Sequence, residues 1–238
     1  MKVDRWEEYQ AFFQLIILRY LVIWFTLVPI IAGIMTQLPN PLPITIFNVT
    51  HNIDLVLPFH WQLLWISSLF FVIALAIYKT RCPKFIHKYN NFAEYSKYQH
   101  HSRWLAWEAH SLLKIADNKL KSKLLNRLKS KEYVTQLDSN IATNLCEEPT
   151  VGKDQTFIEF KVENISYKFG MPIIDGAEDS DKDVFYELFG RYSESRWMAR
   201  LAIKVSLIIS LVLFILVLIQ HIYKGGLYSW NWIQGLIF

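Results

Sequence analysis

Residues 205–223 read VSLIISLVLFILVLIQHIY, nineteen positions without an aspartate, glutamate, lysine or arginine. Wound as a helix rising about 1.5 Å per residue, the run is about 28 Å long, close to the ~30 Å hydrocarbon core of a bilayer. Core helices of water-soluble proteins rarely run this far without a charge, so the run is read as a membrane span. Two more stretches, of 19 and 21 residues, share its lack of charge: YLVIWFTLVPIIAGIMTQL at 20–38 and PFHWQLLWISSLFFVIALAIY at 58–78. The composition agrees, with 53% hydrophobic residues, 9 Trp and the apolar residues concentrated in these runs. The fold class expected is a mainly α integral membrane protein: three transmembrane helices, with a cytoplasmic α+β insert between the second and third.

The first run starts behind WEEYQ and lacks a small-x-small cleavage site, so it is not read as a signal peptide. Orientation follows from the flanking cations. Lys2, Arg5 and Arg19 precede the first run, and residues 39–57 hold no Lys or Arg. Lys79, Arg81, Lys84 and Lys88 follow the second run; Arg191, Arg196, Arg200 and Lys204 precede the third; only Lys224 follows it. The expected layout is 1–19 cytoplasmic or interfacial, 20–38 first span, 39–57 outer loop, 58–78 second span, 79–204 cytoplasmic domain, 205–223 third span and 224–238 an outer aromatic tail breaking at Gly225-Gly226. Arg19 and Lys204 sit where long side chains snorkel to headgroups, and Trp61, Trp197, Trp230 and Trp232 where indoles anchor at an interface. Ser206 and Ser210, one turn apart, suit close packing against another helix. Cys82 and Cys146 fit no metal or redox spacing and are expected to be reduced. Asn48-Val49-Thr50 is a glycosylation pattern that matters only in a secretory pathway; the outer segments carry no cysteine, and the bacterial inner membrane is the compartment expected.

The cytoplasmic part separates its charges. Residues 79–131 carry 13 basic and 3 acidic side chains, 132–187 carry 4 and 13, and 188–204 carry 4 and 1. At the basic extreme stands KLKSKLLNRLKSK, 119–131. Its leucines at 120, 124, 125 and 128 share one helical arc, but Lys121 intrudes on it. A helix packed on a protein core should divide more cleanly. Lys119, Lys121, Lys123, Arg127, Lys129 and Lys131 are therefore expected to face an anionic lipid surface, each gaining roughly 1 kcal/mol there, with pairing to the acidic block as the second reading and nucleic acid as the third. SRWLAWEAHSLLKIA, 102–116, reads as a core helix capped by Ser102, with Trp104, Leu105, Leu112 and Ile115 on one face and Asp117-Asn118 ending it.

In TFIEFKVENISYKFG the period becomes two. A turn at Glu163-Asn164 would pair Val162 with Ile165, Phe160 with Tyr167, Ile158 with Phe169 and Glu159 with Lys168. Such a hairpin is marginal alone and needs helices or a further strand. DGAEDSDKD, 175–183, reads as a solvated acidic linker, since a calcium loop would need glycine where Val184 stands and a bidentate glutamate where Gly190 stands. FYELFGRYSESRWMARLAIK reads as one helix leading into the third span.

Catalytic and metal motifs are missing. His87, His100, His101 and His110 near Glu108 match no zinc spacing, and there is no phosphate-binding glycine loop or nucleophile elbow. No metal or cofactor is expected, and no enzyme. Three spans without buried ionisable groups offer one subunit no ion relay. The expectation is a non-enzymatic membrane effector of bacterial defence or toxin type. Its doubly anchored domain would detect a ligand or partner and alter the membrane, as a homo-oligomer or with a cytosolic protein. A scaffold subunit is the alternative, and a membrane-tethered DNA regulator of winged-helix type the third reading.

Overall fold

The computed structural model describes residues 3–46, 49–53, 60–137, 148–173 and 180–237. The chain divides into two compact units, Met1–Ala11 with Arg81–Arg200, and Phe12–Thr80 with Leu201–Phe238.

The apolar unit is built on α2 (Ile16–Met35), α3 (Trp61–Arg81) and the greater part of α9 (Trp197–Ile237). Among the described residues, two helices are long and apolar enough to cross a membrane, Trp61–Arg81 and Trp197–Asn231; Val22–Met35 is a shorter apolar stretch within α2. Leu18, Phe25 and Val28 of α2, Leu64 and Phe71 of α3, and Val217 of α9 form its buried core. The expected outer loop holds a hairpin, β1 (Leu42–Ile46) and β2 (Val49–Ile53), that the sequence reading missed. Asn48 lies outside the described residues. The break expected at Gly225-Gly226 is absent: α9 runs 41 residues, straight through both glycines. Each glycine costs a helix only about 1 kcal/mol, and an established hydrogen-bond ladder outweighs that.

In the second unit a four-stranded antiparallel sheet has the order β3 (Val134–Leu137), β6 (Ile165–Met171), β5 (Thr156–Val162), β4 (Thr150–Val151). The β5–β6 register is the expected one, with Val162 opposite Ile165, Phe160 opposite Tyr167, Ile158 opposite Phe169 and Glu159 opposite Lys168. Glu163 (φ 51°) and Asn164 (φ 67°) both adopt the left-handed conformation that a tight two-residue hairpin turn requires. The support the hairpin needed comes partly from β3 and β4.

Helices α6 (Trp104–Ile115) and α7 (Asn118–Ser130) contact both this sheet and α8 (Ser180–Glu194), and α4 (Lys84–Lys88) and α5 (Phe92–Lys97) also contact α8. Four expectations change here. The cap of α6 is Arg103; the Ser102 hydroxyl instead donates to Asp181 Oδ2. The buried face of α6 is Leu105, Ala106, Ala109, Leu112 and Leu113, which turns Trp104 outward. Small alanines at 106 and 109 let that face approach its neighbours closely, a cue that large residues alone do not give. The leucines of α7 at 120, 124, 125 and 128 are all buried, so this helix packs on the domain core despite Lys121. Asp117 caps it, accepting from Leu120 N at 2.9 Å. The acidic linker is helical from Ser180, whereas 174–179 and Cys146 lie outside the described residues.

The helix expected to run through 185–204 is two helices, α8 and α9, separated at Ser195-Arg196, where Arg196 has φ 51°. The first stretch of the chain forms its own helix, α1 (Trp6–Phe13), separate from α2 and so not a simple extension of the first span. Trp6 is fully buried.

Candidate functional site

The α8–α9 elbow is a dense buried polar junction. Glu194 and Ser195 end one helix, and their carbonyls have no helical partner. Arg200, three residues into α9, reaches back to them: Nη2 donates to Glu194 O at 2.7 Å and Nε to Ser195 O at 3.0 Å. Its Nη1 donates to Asp4 O at 2.7 Å, tying in the N-terminal segment. Trp6 Nε1 donates to Ser195 O at 2.9 Å, Tyr9 Oη to Arg200 O at 3.0 Å and Ser195 Oγ to Tyr192 O at 2.7 Å. Arg196 Nη1 donates to Arg81 O at 2.6 Å. Arg200 is 5% exposed and Ser195 and Trp6 are 0% exposed, so the bonds of Trp6, Tyr9, Ser195 and Arg200 form largely away from water, where leaving one unmade is costly, whereas the Arg196–Arg81 bond is exposed. Arg200 counted in the sequence as a membrane-flanking cation; here its guanidinium organises the elbow.

Around this core Glu194 gathers cations, Lys123 at 2.9 Å, Arg5 at 3.2 Å and Arg191 at 3.3 Å. Burial pushes the Glu194 carboxyl up, but Lys123, Arg191 and Arg5 outweigh it and hold the group below the ordinary glutamate range. Glu108 on α6 goes the other way: burial raises it, against the lowering effects of the Tyr192 hydroxyl and Lys88.

The cations of α7 divide. Arg127 Nε and Nη2 donate to Glu187 Oε1 at 3.1 and 2.9 Å, and Lys131 pairs with Asp183 at 3.1 Å and Glu187 at 3.6 Å. With Lys123 on Glu194, three of the six meet acids of α8, two of them, Arg127 and Lys131, through Glu187 and Asp183 of the acidic block that was the second of the expected partners. Lys119, Lys121 and Lys129 make no ion pair among the described residues. A cleft of about 130 Å³ beside Lys129 lies well under the ~300–1,000 Å³ of typical small-molecule pockets.

Among the other expected site residues, Ser206 and Ser210 are buried, and Ser67 Oγ donates to Ser210 O at 2.8 Å. Trp197 and Trp230 are exposed, and Trp61 and Lys204 are half-buried. The side chains of Arg19 and Trp232 fall outside what the structure describes. Among the described residues no group of three metal-ligating side chains is placed to hold an ion.

The fold and the junction define a mostly helical protein with two helices long and apolar enough to span a membrane and a small antiparallel sheet in its other unit. No protein-family model, no curated protein and no solved structure matches the chain.

Proposed function

We propose that this is a non-enzymatic membrane effector whose cytoplasmic domain senses a ligand or a cytosolic partner and alters the membrane it is anchored in. In this reading 20–38, 58–78 and 205–223 cross the bacterial inner membrane, with the N-terminus and 79–204 inside and 39–57 and the C-terminus outside. The observation that carries it is α9, one uninterrupted helix whose first turn holds Arg200 in the buried elbow and whose later turns are the apolar run 205–223. In this reading a change at the elbow reaches the third span along α9 itself, the helix that both share. Oligomers, with exposed apolar faces of the spans in contact, would supply the pore or packing defect. The ion pairs of α7 with α8 leave fewer cations for a nucleic acid than the sequence suggested.

The test is expression of the full chain in bacteria with a potential-sensitive dye. Depolarisation is expected, together with its loss on deleting 205–238 or on replacing Arg200. Normal potential at high expression overturns the effector reading. Stable co-purification with one protein of similar abundance would then favour the scaffold.

A further inference from the structure

On α6, Trp104 and Trp107 are three residues apart and point away from the core, 47% and 38% exposed. At about 100° per residue, Ser111 and Lys114 continue the same stripe. Both are exposed. Trp104 is held in a pile of flat rings. His100 lies between Tyr98 and Trp104 with centroids 5.6 and 5.4 Å away and planes 6° and 13° from parallel. Lys88 closes the pile, its Nζ 4.4 Å from the Tyr98 centroid and 3.4 Å from His100 Nε2.

We infer that this face of α6 docks on an anionic lipid surface, with Trp104 and Trp107 entering the headgroup layer and Lys88 and Lys114 meeting lipid phosphates. Three features favour lipid over other partners. The face is the convex outer side of a helix, whereas soluble small molecules are recognised in concave sites. A bilayer accepts convex, amphipathic rings, and indoles flanked by lysines are the side chains that partition to its interface. The charge is complementary: residues 84–115 carry five basic side chains and two acidic ones, and one of the two, Glu108, accepts from the Tyr192 hydroxyl at 3.4 Å. The ring pile also holds Trp104 in place before contact, so little side-chain freedom is lost on insertion.

The inference rests on the proposed anchoring for the presence of a bilayer beside the domain, and not on any effect on membrane potential. Anchoring raises the local lipid concentration, so a weak interfacial face suffices. These are different residues from the cations at 119–131, three of which, Lys123, Arg127 and Lys131, are occupied by acids of α8.

The full chain is reconstituted in phosphatidylcholine vesicles with and without phosphatidylglycerol, in a Cys82→Ala, Cys146→Ser background. One fluorophore is attached at Ser111→Cys on the stripe, at Gln136→Cys on the sheet edge, or at Leu216→Cys in the apolar run of α9. Quenching by lipids carrying a nitroxide is read. Headgroup-labelled anionic vesicles should quench position 111 roughly threefold more than position 136, and Lys88→Gln with Lys114→Gln should lower that interaction roughly fivefold per charge removed. Trp104→Ala with Trp107→Ala should abolish it while the far-ultraviolet spectrum stays unchanged. Equal quenching at 111 and 136, with position 216 quenched by chain-labelled lipid, overturns the inference alone. A label at 111 shielded by another copy, shown by crosslinking between the two 111 positions, also overturns it. An unquenched 216 removes the anchoring itself, and this inference with it.

Discussion

Arg200→Met is the most informative substitution in the molecule. It keeps the aliphatic stem and removes the guanidinium that bonds Asp4 O, Glu194 O and Ser195 O at 2.7, 2.7 and 3.0 Å. Hydrogen bonds from a charged group contribute about 1.5–3 kcal/mol each, and returning a buried guanidinium to water recovers several kcal/mol. The net loss is about 3 kcal/mol, concentrated on the bond to the N-terminal segment and on the elbow. Stability of this kind is local, so it is read by amide hydrogen exchange on the detergent-solubilised chain. At about 1.4 kcal/mol per tenfold, exchange at the amides of Arg5–Gln10 should accelerate about a hundredfold, while the β5–β6 amides keep their rates. Arg191→Met removes only the 3.3 Å contact to Glu194 and should leave exchange there nearly unchanged. Exchange in Arg200→Met within about threefold of the parent would refute the placing of the elbow's stability in this side chain.

Phe169 is 0% exposed at the centre of the sheet, and Phe169→Ala should cost about 3–5 kcal/mol, read as a lowered urea midpoint with unchanged slope. Glu163→Asn with Asn164→Gly supplies residues that adopt positive φ readily, and should stabilise the domain by roughly 1 kcal/mol, visible as a raised midpoint. The two shifted glutamates give opposite pH dependences. Glu108, raised in the folded state by its burial, contributes stability at low pH that is lost as pH climbs through its folded pKa. Glu108→Gln should flatten that decline. Glu194, depressed, contributes stability above the ordinary value that is lost as pH falls through its folded pKa, and Glu194→Gln should remove the acid-side loss. Thermal midpoints of the parent and both variants across pH 3–8 check the two signs.

The hairpin register was legible because alternation is local: apolar residues at 158, 160 and 162 and at 165, 167 and 169 allow only one pairing that shares a face. The Asp117 boundary between α6 and α7 was legible for the same reason, a capping side chain acting on an amide three residues away. The elbow was not. Nothing within the local sequence distinguishes Arg200 from Arg196 or Lys204 as a basic residue ahead of an apolar run, and its role appears only when Asp4, nearly two hundred residues earlier, lies beside it. Strands β3 and β4 were missed because their residues, among them Thr135 and Gln136, carry little apolar signal and are ordered by the neighbours they pair with.

The length and purity of the apolar runs, the segregation of basic from acidic blocks and the pairing within β5–β6 belong to the sequence itself, because each depends on residues a few positions apart and on transfer free energies that every side chain carries with it. The partners of the α7 cations, the outward turn of Trp104 and the separation of α8 from α9 were decided by tertiary structure. Each is a competition between contacts to residues distant along the chain, and only the folded arrangement shows that Glu187 lies beside Arg127 and that Ala106 and Ala109, smaller than any indole, take the place against the core.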